Sequence, residues 1–285
     1  MKHIPVLLGA VLDALGDVRD KRIIDCTFGA GGYTRAFLER GAIVTAFDRD
    51  PNVLVDAESI RLEYGDRFTF IPNAFSALAE LKDKYDAIVF DLGISSMQID
   101  VPERGFSFRQ DAPLDMRMDN SKKKEILTAA ELIEKLSVSE LAGILRNYGD
   151  VKNAAQLARN IKSAAPKTTF ELKNLIHNPK DVAPVFQALR IAVNDEMGEV
   201  GRALAAVPEH LVVGGMCICV TFHSIEDRFV KNRFREWTTA PGDPRMPTVE
   251  KAPFVLIKTV VPNAAEIKNN SRARSAHMRG VVRIL

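Results

Sequence analysis

The chain has 285 residues, 46% hydrophobic and 27% charged, with a formal net charge of +2. That length and balance support one large domain or two smaller ones with a real core, and exclude a disordered chain. Its apolar runs fall short of the roughly 20 residues of a membrane helix. Three cysteines, with no CxxC and no Cys/His ligand spacing, predict neither a disulfide framework nor a metal site, so a reduced, cytoplasmic setting is expected.

The N-terminal "MKHIPVLLGAVLDALGDV" lacks a signal-peptide cleavage site and reads as an amphipathic helix. "RIIDCTF" is a predicted strand running into "GAGGYTRAFLERG", a loop and helix. "AIVTAFDRD" is the next strand and "PNVLVDAESIRLEYG" the next helix. "FTFIPNAF" is a third strand, "SALAELKDKY" a third helix and "DAIVFDLG" a fourth strand. Strands alternating with helices predict an α/β fold, a doubly wound and mostly parallel sheet. Continuous apolar runs such as "AIVF" fit strands covered on both faces.

The alternation stops near Val101. Three capping boxes follow, Thr128 with Glu131, Ser137 with Glu140 and Thr168 with Glu171, each predicting a helix start. Residues 101–182 are therefore expected to form an inserted all-helical domain, with 1–100 and 183–285 forming the core. Beyond it, Phe186, Leu189, Val193, Met197, Val200 and Leu204 make one helical stripe in "PVFQALRIAVNDEMGEVGRALAAV". "GGMCICVTFHS" is a strand, "IEDRFVKNRFREW" a helix, and "FVLIKTV" and "VVRIL" a closing pair of strands, one of them antiparallel near the sheet edge. From Arg228 to Leu285 there are 12 Lys/Arg against 4 Asp/Glu, while the rest carries 27 against 33. A basic C-terminal fifth suits a polyanionic partner, or is only an uneven surface.

"DCTFGAGGYT" places glycines between the first strand and its helix, where backbone approaches a ligand closely. Asp25, Asp48 and Asp91 each end a strand on the edge where open α/β sheets bind ligands. A pyrophosphate would be repelled by Asp25 and Asp91. S-adenosylmethionine carries an ammonium and a sulfonium and no phosphate, so the acid set favours it over NAD.

The stretches "HIPVLL", "DCTFGAGGYT", "FDRDP", "FDLGISSMQID", "ERGFSF", "PLDMRMD", "FQALRIAVN", "FHSIEDR" and "RARSAHMR" run in order from His3 to Arg279. On these the chain resembles the bacterial small-subunit (16S) ribosomal RNA cytosine-N4 methyltransferase family. The resemblance implies a class I methyltransferase fold with a helical insertion that recognises substrate. It also implies methyl transfer from S-adenosyl-L-methionine to a cytidine in the decoding region of 16S ribosomal RNA, within the small ribosomal subunit. Carried over by position, Gly31, Gly32 and Tyr33 match the cofactor loop, Asp48 the acid on the ribose and Phe75 an aromatic beside adenine, while Asp91 and Gln98 match further cofactor contacts. Many members have histidine where this chain has Tyr33.

Candidate catalytic residues follow from the chemistry of a cytosine amine, whose lone pair is delocalised into the ring. Ser95 or Ser96 is expected to accept hydrogen bonds from the amine, unless the serines only cap the next turn. His223 either orients the base or receives a proton, or is simply fixed by Glu226 or Asp227. Phe106, Phe108 and Phe222 are candidates to stack on an unpaired base, or close a small core. Arg117 is a candidate phosphate contact. Gln187, Arg190 and Asn194 share a helix face, either lining a cleft or solvated. The basic tail offers Arg228, Lys231, Arg233, Arg235, Arg272, Arg274 and Arg279 to RNA phosphates. A methyltransferase for protein or small molecules, and a non-catalytic rRNA-binding module, remain alternatives. A homo-oligomer is left open.

Overall fold

The computed structural model describes residues 5–94, 96–119, 126–240 and 251–285. The chain divides into two compact units, Met1–Gly93 with Glu199–Leu285, and Ile94–Gly198. It runs through α1 (Leu8–Leu15), β1 (Arg22–Asp25), α2 (Gly32–Glu39), β2 (Ile43–Phe47), α3 (Leu54–Tyr64), β3 (Phe68–Ile71) and β4 (Tyr85–Asp91). It then forms α4 (Ser96–Asp100), α5 (Ala129–Lys135), α6 (Val138–Gly149), α7 (Ala154–Ala164), α8 (Thr169–Asn174) and α9 (Val182–Asn194). It returns through α10 (Glu196–His210), β5 (Leu211–Thr221), α11 (Ser224–Thr238), β6 (Phe254–Leu256), α12 (Ala264–Asn269) and β7 (His277–Arg283).

The first unit is built on one seven-stranded sheet in the order β3-β2-β1-β4-β5-β7-β6. Strands β1 to β5 pair in parallel, and β7 runs antiparallel to both β5 and β6. This is the doubly wound sheet expected, with its antiparallel strand one place from the edge. Ala87 to Phe90 of β4 are all buried, as a central parallel strand requires. Each of β1, β2 and β4 ends at or just before an acid, so Asp25, Asp48 and Asp91 arrive at the same carboxyl edge.

The expected helix "SALAELKDKY" is instead a short 3-10 stretch, Phe75–Glu80, in which only Leu78 is buried. One apolar anchor gives an α-helix no stripe to bury. The expected long helix after residue 182 is interrupted at Asp195, whose backbone is left-handed (φ 48°). Asp and Asn tolerate that conformation better than most side chains.

The second unit is helical and has its own core, with Leu141, Leu145, Ala158, Ile161, Leu172, Phe186 and Leu189 buried together. All three capping boxes form, at Thr128, Ser137 and Thr168. The unit reaches beyond 101–182 at both ends, because Val185, Phe186, Ala188 and Leu189 of α9 pack into this core and not the sheet's. Phe106 is buried in it, and Phe108 meets Phe186 edge-on with ring centroids 5.3 Å apart. The Phe106 ring is therefore not an open stacking platform, while Phe108 is half-buried.

The shared face of α9 does structural work. Gln187 donates to the Tyr148 carbonyl, and Arg190 clasps Glu196 through two bonds of 2.7 and 2.8 Å. Asn194, 5% exposed, accepts from the Met118 N–H and donates to the Met116 carbonyl, both at 2.7 Å. Met116 is itself left-handed (φ 63°) and fully buried, so Asn194 holds a strained loop in place. In that loop Arg117 is committed to Asp115 by bonds of 2.8 and 2.7 Å, which leaves it poorly placed to take a phosphate.

Replacing Asn194 by Ala strands a buried N–H and a buried carbonyl. The expected loss is about 2–4 kcal/mol of stability, read as a lower urea midpoint by far-ultraviolet circular dichroism. An unchanged midpoint would show that the Met116 loop is held by other means.

Candidate active site

Asp25 closes β1 with 1% of its surface exposed. Its Oδ1 accepts from the Thr27 N–H (3.1 Å) and its Oδ2 from the Thr34 hydroxyl (2.7 Å). The Thr27 hydroxyl oxygen in turn accepts the Asp91 N–H at 2.7 Å, tying β1 to β4. The strand order reverses between these neighbours, since β2 flanks β1 on one side and β5 flanks β4 on the other. Loops leaving β1 and β4 therefore diverge and open the crevice in which such sheets bind ligands.

The glycine loop is held from below and from the side. Asp48 accepts from the Gly29 N–H (2.8 Å) through one carboxylate oxygen and from the Asp50 N–H (2.9 Å) through the other. Phe28 packs on Phe68 and Phe70 beneath the turn. Gly31 has φ 75°, and a Cβ there would fall 2.6 Å from Ile60 Cδ1, so only glycine makes this turn. Tyr33 is 3% exposed, and its hydroxyl donates to the Val6 carbonyl. Its side chain is thus committed to the N-terminal segment, and its backbone is the part left for a ligand. Phe75 stands edge-on to Phe90, with centroids 5.7 Å apart.

Burial pushes the Asp25 carboxyl up to about 6, against the opposing hydrogen bonds from Thr34 and Thr27. Burial also raises Asp48, against the Asp50 and Gly29 amides. Asp91 is raised furthest, first by burial and then by repulsion from Asp25 and Glu226. Its Oδ1 is shut off from solvent and has no hydrogen-bond partner among the described residues. Crowded carboxylates with an orphaned oxygen are a site short of positive charge. A sulfonium and an ammonium fit that shortage, and a pyrophosphate would worsen it.

The end of β5 adds a fourth acid. Glu226 is 1% exposed and accepts the Phe222 N–H at 2.8 Å. His223 caps α11 by accepting the Glu226 N–H at Nδ1, a long bond of 3.4 Å. The other ring nitrogen, Nε2, lies 2.8 Å from Glu226 Oε1, yet out of line for a hydrogen bond. Asp227, the alternative acid, is claimed by Arg279 through bonds of 2.6 and 2.9 Å. Arg279 is therefore a structural tie between α11 and β7 and not an open phosphate contact. Arg228, Lys231, Arg235 and Arg274 are exposed.

The first unit thus gathers Gly31, Gly32, Tyr33, Asp48, Phe75, Asp91 and His223 with Asp25. Gln98 is buried in α4 of the second unit, Ser96 opens that helix, and Ser95 lies outside the described residues. Sequence reasoning missed Thr27 and Thr34 as supports of the acids, although both sit in the glycine stretch. It took Glu226 only as one of two acids beside His223.

The raised Asp25 sets a pH test on the ligand-free protein. Its unfolded value is near 3.9, so ionised Asp25 costs stability, and that cost grows as pH rises from about 4 through about 6. Asp25→Asn is expected to be the more stable protein above about pH 6, with the gap closing below about pH 4. Thermal melts across that range check it, and a constant gap would contradict the assignment.

Three comparisons bear on this geometry. The MraW methylase family model matches residues 1–284. The "Ribosomal RNA small subunit methyltransferase H" of Chelativorans sp. is 44% identical over 99% of this chain and 87% of its own length. Its namesake from Mesorhizobium japonicum is 42% identical over 99% and 88%. A solved rRNA methylase from Streptococcus thermophilus aligns with 100% of this chain and 99% of its own at 13% identity and a TM-score of 0.46, too slight a likeness to carry weight. With a family match from end to end and relatives at this identity through almost the whole chain, the protein belongs to the MraW methylase family.

Proposed function

We propose that this protein is an S-adenosylmethionine-dependent methyltransferase that methylates the exocyclic N4 amine of a cytidine in the decoding region of 16S ribosomal RNA, acting in the cytoplasm on the small ribosomal subunit. The observation that carries the cofactor half is the orphaned Asp91 Oδ1 in a cluster of buried acids. The family and the names of its relatives support the RNA half. Among the described residues, no helix is long and apolar enough to cross a membrane.

S-adenosylmethionine supplies an electrophilic methyl on a positively charged sulfur. Asp91 Oδ1 is the acceptor for its cationic end, and Asp25 acts behind it through Thr27. Asp48 holds two amides and keeps lone pairs for a ribose hydroxyl pair. Phe75 flanks the adenine, and Gly31, Gly32 and Tyr33 contribute backbone. Gln98 as a cofactor contact, and Ser95 or Ser96 as acceptors of the amine's hydrogens, rest on the family resemblance.

A cytosine amine is a weak nucleophile, so the protein's main task is to hold it in line and to accept its hydrogen bonds. Positioning of that kind supplies up to ~7–11 kcal/mol in favourable cases. The target base must be unpaired or flipped out to reach a donor held at a sheet edge.

Mass spectrometry of nucleosides from unmodified small subunits, with and without the protein and labelled donor, tests the reading. N4-methylcytidine in 16S ribosomal RNA is expected, and its absence would overturn it. Asp91→Ala is expected to weaken cofactor binding by about 10- to 100-fold in calorimetry, the loss of one charge-assisted contact. Replacing Arg228, Lys231 and Arg235 together by Ala should weaken RNA binding and flatten its salt dependence by about 2–3 in log–log slope. An unaltered slope would take α11 out of the RNA interface.

A further inference from the structure

Nε2 of His223 is a buried polar atom that the proposed cofactor contacts leave unused. The Nδ1 atom of His223 accepts the Glu226 N–H as the cap of α11. A ring nitrogen that accepts carries no proton, so the neutral imidazole carries its proton on Nε2. Among the described residues Nε2 is buried without an aligned partner, although Glu226 Oε1 stands 2.8 Å away. Glu226 itself is fixed by the Phe222 N–H and almost wholly buried. With Asp227 bound to Arg279, Glu226 is the acid left to the imidazole.

The pair borders the loop that leaves Asp91. Gly93 has φ 99°, and a Cβ on it would lie 3.4 Å from the Phe222 ring and 4.0 Å from Glu226 Oε1. Nε2, 2.8 Å from Glu226 Oε1, is thus close to the segment that follows Asp91. Beside its amine, cytosine presents ring N3 as an acceptor, where uracil presents N3–H. A fixed donor recognises the first pattern and opposes the second. A histidine acting as proton acceptor would need the opposite tautomer and would forfeit the helix cap.

We propose that His223 and Glu226 form a positioning pair for the target base: His223 presents an Nε2–H donor to a ring acceptor of cytosine, and Glu226 holds the imidazole in that place and tautomer. This rests on the methyl-transfer reading above and assigns the pair to base selection within it.

The test compares His223→Ala, His223→Gln and Glu226→Gln in the full-length protein. Cofactor affinity is measured by calorimetry and methyl transfer to small subunits across about pH 6–9. His223→Ala is expected to lose about 100-fold in kcat/KM with cofactor affinity unchanged. His223→Gln keeps an N–H donor and is expected to recover about 10-fold of that loss. Its pH profile should superpose on the wild type's. Glu226→Gln keeps the backbone N–H that caps Nδ1 but removes the carboxylate packed beside Nε2, and is expected to raise KM for RNA. If His223→Gln is as inactive as His223→Ala, or abolishes an ionisation seen in the wild type, the donor role is overturned. Full activity of His223→Ala overturns it as well. Wild-type protein that transfers no methyl to cytidine would sink the functional reading itself, and this pair with it.

Discussion

Asp25 is buried and Asp48 and Asp91 are half-buried at one rim of one sheet, and loss of solvent makes each harder to ionise. Desolvated like charges oppose folding unless hydrogen bonds or opposite charges offset them. Backbone amides and the Thr34 hydroxyl do so for Asp25 and Asp48, and among the described residues nothing comparable reaches Asp91 Oδ1. The imbalance is local, reproducible from the strand order, and matched to a cationic cofactor. Sheet topology, glycine turn and aromatic floor all serve to hold that imbalance at the switch point.

Much of this was legible in the residues. Strand ends bearing acids, a glycine turn after β1 and three capping boxes are local patterns, and local patterns survive as structure when nothing distant competes. Thr128, Ser137 and Thr168 cap their helices because a side chain three residues from its partner needs no knowledge of the fold. The doubly wound core follows from the alternation alone. Family resemblance added cytosine, N4 and the ribosome, which no periodicity encodes.

What was illegible depends on partners far along the chain. The Gln187, Arg190 and Asn194 face looks solvated or cleft-lining by spacing, yet Asn194 is taken by Met116 and Met118 nearly eighty positions earlier. Arg279 looks like a phosphate ligand until Asp227 is seen beside it. The apolar stripe through α9 and α10 runs on past Asp195, and hydrophobic spacing cannot report a left-handed residue that splits it. Ion pairs of this kind are defined by what they exclude as much as by what they join, so composition overstates the basic surface open to a polyanion.

The place of β7 has a temporal meaning. His277–Arg283 slots between β5 and β6, and β5 is the strand that delivers Phe222 and His223. A growing polypeptide cannot close this sheet until residue 283 is free, because the antiparallel partner of β5 follows β1 to β6 in the sequence. The Leu7 N–H, bound to Glu266 of α12, waits on the same late arrival. Assembly of such long-range pairings is slow compared with local helix formation. The edge that carries Phe222 and His223 is therefore completed only once β7 has been made and paired.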